Sequence, residues 1–278
     1  MYVEISLPRL ALSLGLIALS LVLARVQKLG LERSLLLGTV RAAAQLIGIG
    51  YLLLAVFDHP APWLTLGLLA VMLGVAAFTS ARRVAHGPGA RRLFVHALGA
   101  IVLGSGAALL PLFLFIVPVH PWFDARFVVP LAGMMVANAM NVVALTYERV
   151  FAGAHAERGV IEQLLSLGAT PSQALERLRA MALRAALTPT VNGLLTVGLV
   201  ALPGMMTGQI LAGSPPVQAV RYQLVVMYQL VAVAAVAGTW AARSAQRLLF
   251  TPQMTLTEFS ARSRVRDDVE KPSRAPRS

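Results

Sequence analysis

Two stretches of the chain share the pattern L-x-G-M-M: Leu131-Ala132-Gly133-Met134-Met135 and Leu202-Pro203-Gly204-Met205-Met206. Each places an amide side chain five residues after its glycine, Asn138 in the first and Gln209 in the second. Thioethers are soft, polarizable groups that fill apolar gaps and contact transition metals weakly. Amides offer a donor and an acceptor together. Thr207 adds a hydroxyl, and Asn141 follows Asn138 by three residues, on the same helical face. Neither stretch holds an acid, a base or a nucleophile. Their chemistry is binding, not bond-making.

The rest of the chain offers little reaction chemistry. Zero cysteines exclude disulfides, thiolate metal sites and cysteine catalysis. The histidines, His59, His86, His96, His120 and His155, form no H-x-x-x-H or HExxH pair. Asp58–His59 and His120 with Asp124 fall on one side of the predicted topology, where solvated loop residues are the simplest account. No serine lies in a GxSxG elbow. Lys28 follows Gln27 and Lys271 follows Glu270, so no phosphate-binding Gly-Lys-Ser/Thr loop exists. None of the 12 acidic residues lies in the middle of an apolar run. That argues against the buried carboxylates of ion-coupled transporters and against a hard-cation oxygen cage.

The elements that must position these residues are membrane helices. The 278-residue chain is 57% hydrophobic and 13% charged, against roughly a quarter charged for soluble domains. Apolar runs of 18 or more residues recur, which is the signature of spanning helices. The pattern predicts an all-α polytopic membrane protein with about seven spans, at 5–24, 34–57, 62–80, 93–117, 127–147, 185–212 and 219–241. Residues 1–250 form the transmembrane domain. The Ser-, Arg- and Pro-rich segment 251–278 reads as a disordered basic tail. The net charge of +12 lies mostly in loops and tail, without interleaved aromatics, so it indicates topology and not nucleic acid. Of the 24 basic residues, all but Arg9, Arg41, Arg126 and Arg221 fall on one side. The positive-inside rule then puts the N-terminus outside and the C-terminus in the cytoplasm. Glu4 and the lack of a small-residue cleavage site argue against a signal peptide.

The segment 148–184, between spans five and six, is too long for a bare connector. IEQLLSLG has helical character, Gly168 suits a helix end, and Thr170-Pro171 suits a cap and first helical position. Ala174, Leu175, Leu178 and Met181 then share one face. The expected form is a helical hairpin at the cytoplasmic surface. Glu162 and Gly168 carry the E-x5-G spacing of the loop by which ABC importer permeases dock on their ATPase, although Gln163 and Leu164 replace its two alanines. An ordinary interfacial hairpin fits the same spacing.

At ~1.5 Å per residue, Gly133 lies ~9 Å and Gly204 ~12 Å from the outer ends of their spans. The two motifs therefore share a depth in the outer half of the membrane. Pro203 and Gly204 are expected to break the sixth span and free backbone carbonyls, which a cavity or a neighbour must satisfy. Packing is the competing reading: Gly204-x-x-x-Gly208 is a small-residue motif, and methionine fills gaps. On the second span, Arg41 and Gln45 are one turn apart. Snorkelling and an inner gate explain Arg41 equally well.

RAAAQLIGIG, LAGMMVANAMN, IEQLLSLGATPSQAL and above all LVALPGMMTGQILAGSPPVQAVRYQ resemble the FetB-like iron export permeases. That family includes plant aluminium-sensitive and aluminium-tolerance membrane proteins. The resemblance runs from about Arg41 to Thr251. It implies the permease subunit of an ABC-type exporter in the bacterial inner membrane, a transporter and not an enzyme, exporting iron or a related metal. It implies no cofactor in this chain, with ATP and magnesium held by a separate soluble ATPase, and a dimer of this chain on two ATPase subunits. On this reading Glu162 and Gly168 serve coupling, and Arg41, Gln45, Met134, Met135, Asn138, Asn141, Met205, Met206, Thr207 and Gln209 line the substrate pathway, with the break at Pro203 and Gly204. The alternative is a stand-alone secondary transporter or channel for a metal or small metabolite.

Overall fold

The computed structural model describes residues 7–84, 87–117, 119–251 and 255–257. The predicted tail, 251–278, falls almost wholly outside the described residues. Among those residues the secondary structure is helical, with two isolated β-bridges and no strand. The chain divides into two compact units, Met1–Ala61 and Pro62–Ser278.

The first unit is a pair of helices, α1 (Leu7–Val26) and α2 (Glu32–Asp58). Their turn uses left-handed backbone at Lys28 (φ 52°) and Gly30 (φ 65°), the second of which glycine adopts without steric cost. Arg41 and Gln45 lie one turn apart on α2, and both are exposed.

The second unit contains α3 (Pro62–Arg83), α4 (Ala90–Pro111), α5 (Ala125–Ala156), α6 (Arg158–Ser166), α7 (Pro171–Ala174), α8 (Glu176–Thr196), α9 (Gly204–Leu211) and α10 (Pro216–Leu249). A single π-turn, Leu112–Ile116, extends α4. Pro111 precedes it, where a ring without an N–H already interrupts the helical ladder. Asp124 caps α5, its Oδ1 accepting from the Arg126 amide at 3.0 Å.

Helix α5 is the axis of this unit and packs against α3, α4, α8 and α10. Its Met135, Ala139, Val143, Tyr147 and Val150 have no exposed surface. In lipid, helices gain no hydrophobic drive to associate, so they rely on close approach through small residues. The α4–α10 crossing shows this: a Cβ at Gly104 would lie 2.6 Å from Ala237 Cβ. Some buried hydroxyls bond across the bundle, whereas the Thr146 hydroxyl is buried without a partner. Tyr147 and Ser244 join α5 to α10 at 2.8 Å, and Ser80 donates to the Met140 carbonyl at 3.0 Å.

Among the described residues, five helices are long and apolar enough to cross a membrane: Glu32–Asp58, Pro62–Arg83, Ala90–Ile116, Ala125–Ala156 and Pro216–Leu249. Leu12–Val26 is a shorter apolar helix. The predicted span 185–212 differs from the others because it is not one helix. It ends at Thr196, passes through a non-helical segment and resumes as the short α9. The expectation of a break at Pro203 and Gly204 did not extend back to Val197, because Val197, Leu199 and Val200 keep the run hydrophobic.

Candidate functional site

Asn138 lies roughly 20 Å along α5 from Ala125. Its Nδ2 donates to the Leu230 carbonyl of α10 at 2.7 Å, and its Oδ1 accepts from Thr190 Oγ1 of α8 at 3.1 Å. One side chain therefore ties three helices together. Beside it lies a cavity of about 270 Å³, whose lining includes Asn141, Leu145, Pro189, Gly193 and Met227. Pro189 has no N–H to give the Ala185 carbonyl, so α8 loses one rung of its ladder next to this cavity. Asn141 Oδ1 accepts from Arg83 Nη1 at 3.1 Å, which brings a guanidinium from α3 to the same stripe of α5.

The two L-x-G-M-M stretches have different fates. Met135 is wholly buried in the core, and Met134 packs half-buried against it. Gly133 admits Met72, whose Cε would lie 3.2 Å from an added Cβ. The second stretch begins at a break. Gly198 (φ +84°) turns the chain and donates to the Ala201 carbonyl at 2.9 Å. Pro203 then occupies the N-cap of α9 with no side-chain cap. Thr207 Oγ1 bonds the Gly204 and Pro203 carbonyls at 3.0 and 3.2 Å, so its hydroxyl serves its own helix. Gln209 Oε1 is buried without a partner, Met206 is half-buried, and Met205 reaches the core cluster that holds Met134 and Met135. Helix α9 packs on α10. A Cβ added at Gly204 or Gly208 would meet nothing within 4 Å. Small-residue packing through these two glycines thus has no partner among the described residues.

Of the segment 148–184 expected to form a hairpin, the first part continues α5 to Ala156 and the last begins α8 at Glu176, leaving the short helices α6 and α7 between them. Gly168 (φ +90°) follows α6, and Thr170 caps α7 with Pro171 at its first position. Gln173 Oε1 accepts from the Thr170 amide at 2.8 Å, and Thr170 Oγ1 accepts from the Gln173 amide at 3.4 Å, a reciprocal capping box. Replacing Thr170 with alanine is expected to cost about 1 kcal/mol locally. Faster hydrogen exchange at the Gln173 and Ala174 amides, with an unchanged global melting temperature, is the expected readout.

The hairpin is anchored, not pendant. Ile161, Ala174, Leu175 and Leu178 belong to the core. Arg177 pairs with Glu157, and Arg179 bonds both Ser172 of α7 and Gln246 of α10. Glu162 pairs with Arg158 at 2.8 Å on the exposed side. Val160, Leu164 and Leu167, spaced i, i+4, i+7, are 52%, 37% and 84% exposed.

Sequence reasoning reached Asn138 and Asn141 but not Thr190, Arg83, Arg179 or the Leu230 carbonyl. Thr188-Pro189-Thr190 was the available signal, a polar, helix-weakening triplet inside an apolar run. The others acquire meaning only from distant neighbours. Among the described residues no cluster of three or more His, Asp or Glu side chains converges.

These apolar helices, close-packed through small residues around a bonded amide and bearing an anchored hairpin, define a multi-pass membrane protein. The chain belongs to the Uncharacterised protein family (UPF0014), whose pattern matches residues 7–250. It is 39% identical over 217 residues to "UPF0014 membrane protein slr1647" of Synechocystis, covering 77% of this chain and 82% of that one. It is 38% identical over 225 residues to the Escherichia coli "Probable iron export permease protein FetB", covering 81% and 85%. Against the Arabidopsis thaliana "Protein ALUMINUM SENSITIVE 3" the identity is 34% over 229 residues, covering 82% and 81%. No solved structure matches the chain.

Proposed function

We propose that the chain is the membrane permease subunit of an ATP-driven, ABC-type exporter in the bacterial inner membrane, with iron or a related metal as cargo. A separate soluble ATPase would bind ATP and magnesium, and two copies of this chain would dock on two ATPase subunits. The N-terminus lies outside and the C-terminus, with the hairpin, in the cytoplasm. The metal named for the FetB relative supports the cargo assignment.

The observation that carries the reading is the α6–α7 hairpin. It is tied to α5, α8 and α10 from behind, and it presents Val160, Leu164 and Leu167 outward. Such an element transmits a push from a docked partner into the helices that frame the Asn138 node. The cargo pathway runs past Asn138, Asn141 and the adjacent cavity to the break at Pro203–Gly204, where Met205, Met206, Thr207 and Gln209 lie. Met134 flanks this path and Met135 supports it from the core. Interrupted membrane helices recur at transporter binding sites because their free backbone groups replace the hydration of a solute. Arg41 and Gln45 are assigned to the inner gate.

The test is co-expression with the ATPase candidate. The pair is expected to co-purify, with ATPase activity stimulated by ferrous iron in proteoliposomes. Replacing Leu164 and Leu167 together with glutamate is expected to abolish co-purification while the permease still folds, because both side chains are exposed. Undiminished co-purification of that variant would remove the docking assignment. Transport by the purified chain alone, without an ATPase, would replace the exporter reading with the secondary transporter.

A further inference from the structure

A second cavity, of about 460 Å³, lies between α3, α4 and the start of α5. Thr65 and Ser105 are the polar side chains in its wall, and both hydroxyls are already used. Thr65 donates to the Phe123 carbonyl at 2.8 Å and Ser105 to the Ile101 carbonyl at 2.6 Å. Both hydroxyl protons are committed, so a polar solute entering it would exchange its hydration for little more than two hydroxyl oxygens in an otherwise apolar wall. The cavity is therefore a poor fit for a hydrated metal ion.

Its length is informative. Lining residues run along α3 from Thr65 to Leu73 and along α4 from Val102 to Leu114, roughly 12 and 18 Å of helix. Half of a ~30 Å hydrocarbon core is about 15 Å. The slot thus has the reach of one leaflet. Its lining residues Leu110, Leu114 and Trp122 are 64%, 68% and 61% exposed on or beside helices that span the membrane, so the slot is continuous with the lipid-facing surface. Trp122 marks one end, and tryptophan favours the headgroup level. Arg126, exposed in the first turn of α5, puts a positive charge at the same level as that end, although it is outside the slot's lining. That is the sign a phospholipid phosphate attracts.

We propose that this slot binds one acyl chain of a membrane phospholipid, with the headgroup at the Trp122 end. The lipid completes the α3–α4–α5 packing that side chains leave open. Gly106 lies in the wall, and a Cβ there would meet nothing within 4 Å, so a larger side chain would occupy the slot without striking a helix.

The full chain in nanodiscs containing phosphatidylglycerol with a diazirine on one acyl chain tests this. Photolabelling is expected to concentrate on the lining residues Leu69 and Phe113, several-fold above Val71 and Val95, which are exposed on α3 and α4 outside the slot. The Gly106→Trp variant, and independently Leu110→Trp, should lower the slot labelling several-fold and leave Val71 and Val95 unchanged. Native mass spectrometry should show one phospholipid retained by the unaltered chain and lost from both variants. Equal labelling inside and outside the slot would overturn the proposal. So would slot labelling that persists in folded Gly106→Trp, or a slot that crosslinks to a second copy and not to lipid.

Discussion

Replacing Gly104 with leucine is expected to abolish the accumulation of folded protein. At this position α4 and α10 approach so closely that an added Cβ would lie 2.6 Å from Ala237 Cβ and 3.1 and 3.2 Å from the Ala237 backbone N and Cα. Backbone atoms cannot rotate aside, so the helices must separate along their length. The separation would open the contacts of Ala97, Ala100, Ile101 and Ala108 with the core they share with α10. Overpacking typically costs about 1–3 kcal/mol and more when backbones must move. In a membrane protein that depends on close approach, that consumes much of its margin. Fluorescence-detected size exclusion in detergent is the direct measurement. Gly104→Ala should be intermediate, and pairing it with Ala237→Gly should restore the melting temperature. A wild-type melting temperature for Gly104→Leu would show that the crossing is looser than described.

The second large effect concerns Asn138. Substitution by leucine keeps the volume but removes the bonds to Leu230 and Thr190. Intramembrane side-chain hydrogen bonds average about 0.6 kcal/mol, reaching about 1.7, so the stability loss should be modest. The loss of transport should be large, ten-fold or more for a step that needs α8 held in register against α5 and α10. Efflux from proteoliposomes with the partner ATPase measures it. Thr190→Val breaks one of the two bonds and should lie between wild type and Asn138→Leu. If Asn138→Leu exports cargo at the wild-type rate, the node is structural and the pathway lies elsewhere.

The same residues separate what was legible in the sequence from what was not. Local rules were sufficient at the hairpin: Gly168 at a left-handed turn, Thr170 as cap, Pro171 as first helical residue and Gln173 as reciprocal partner all act within one turn of chain. Hydropathy located the membrane helices, because lipid forces every spanning segment to bond its own backbone. Hydropathy alone missed the change of backbone path from Val197, which apolar side chains mask, whereas Pro203 and Gly204 already signalled a break there.

By itself, then, the sequence determined an all-helical membrane protein, the hairpin and its caps, and a set of amides and thioethers without acid–base or nucleophilic chemistry. Only the tertiary structure decided which of these meet. It buried Met135 and left Gly204 and Gly208 without a partner among the described residues. It set α9 on α10, and it joined Asn138 to groups 52 and 92 residues away. The physical reason is that membrane helices form from local backbone bonding, whereas the faces they turn to one another depend on small-residue contacts between segments distant in the chain.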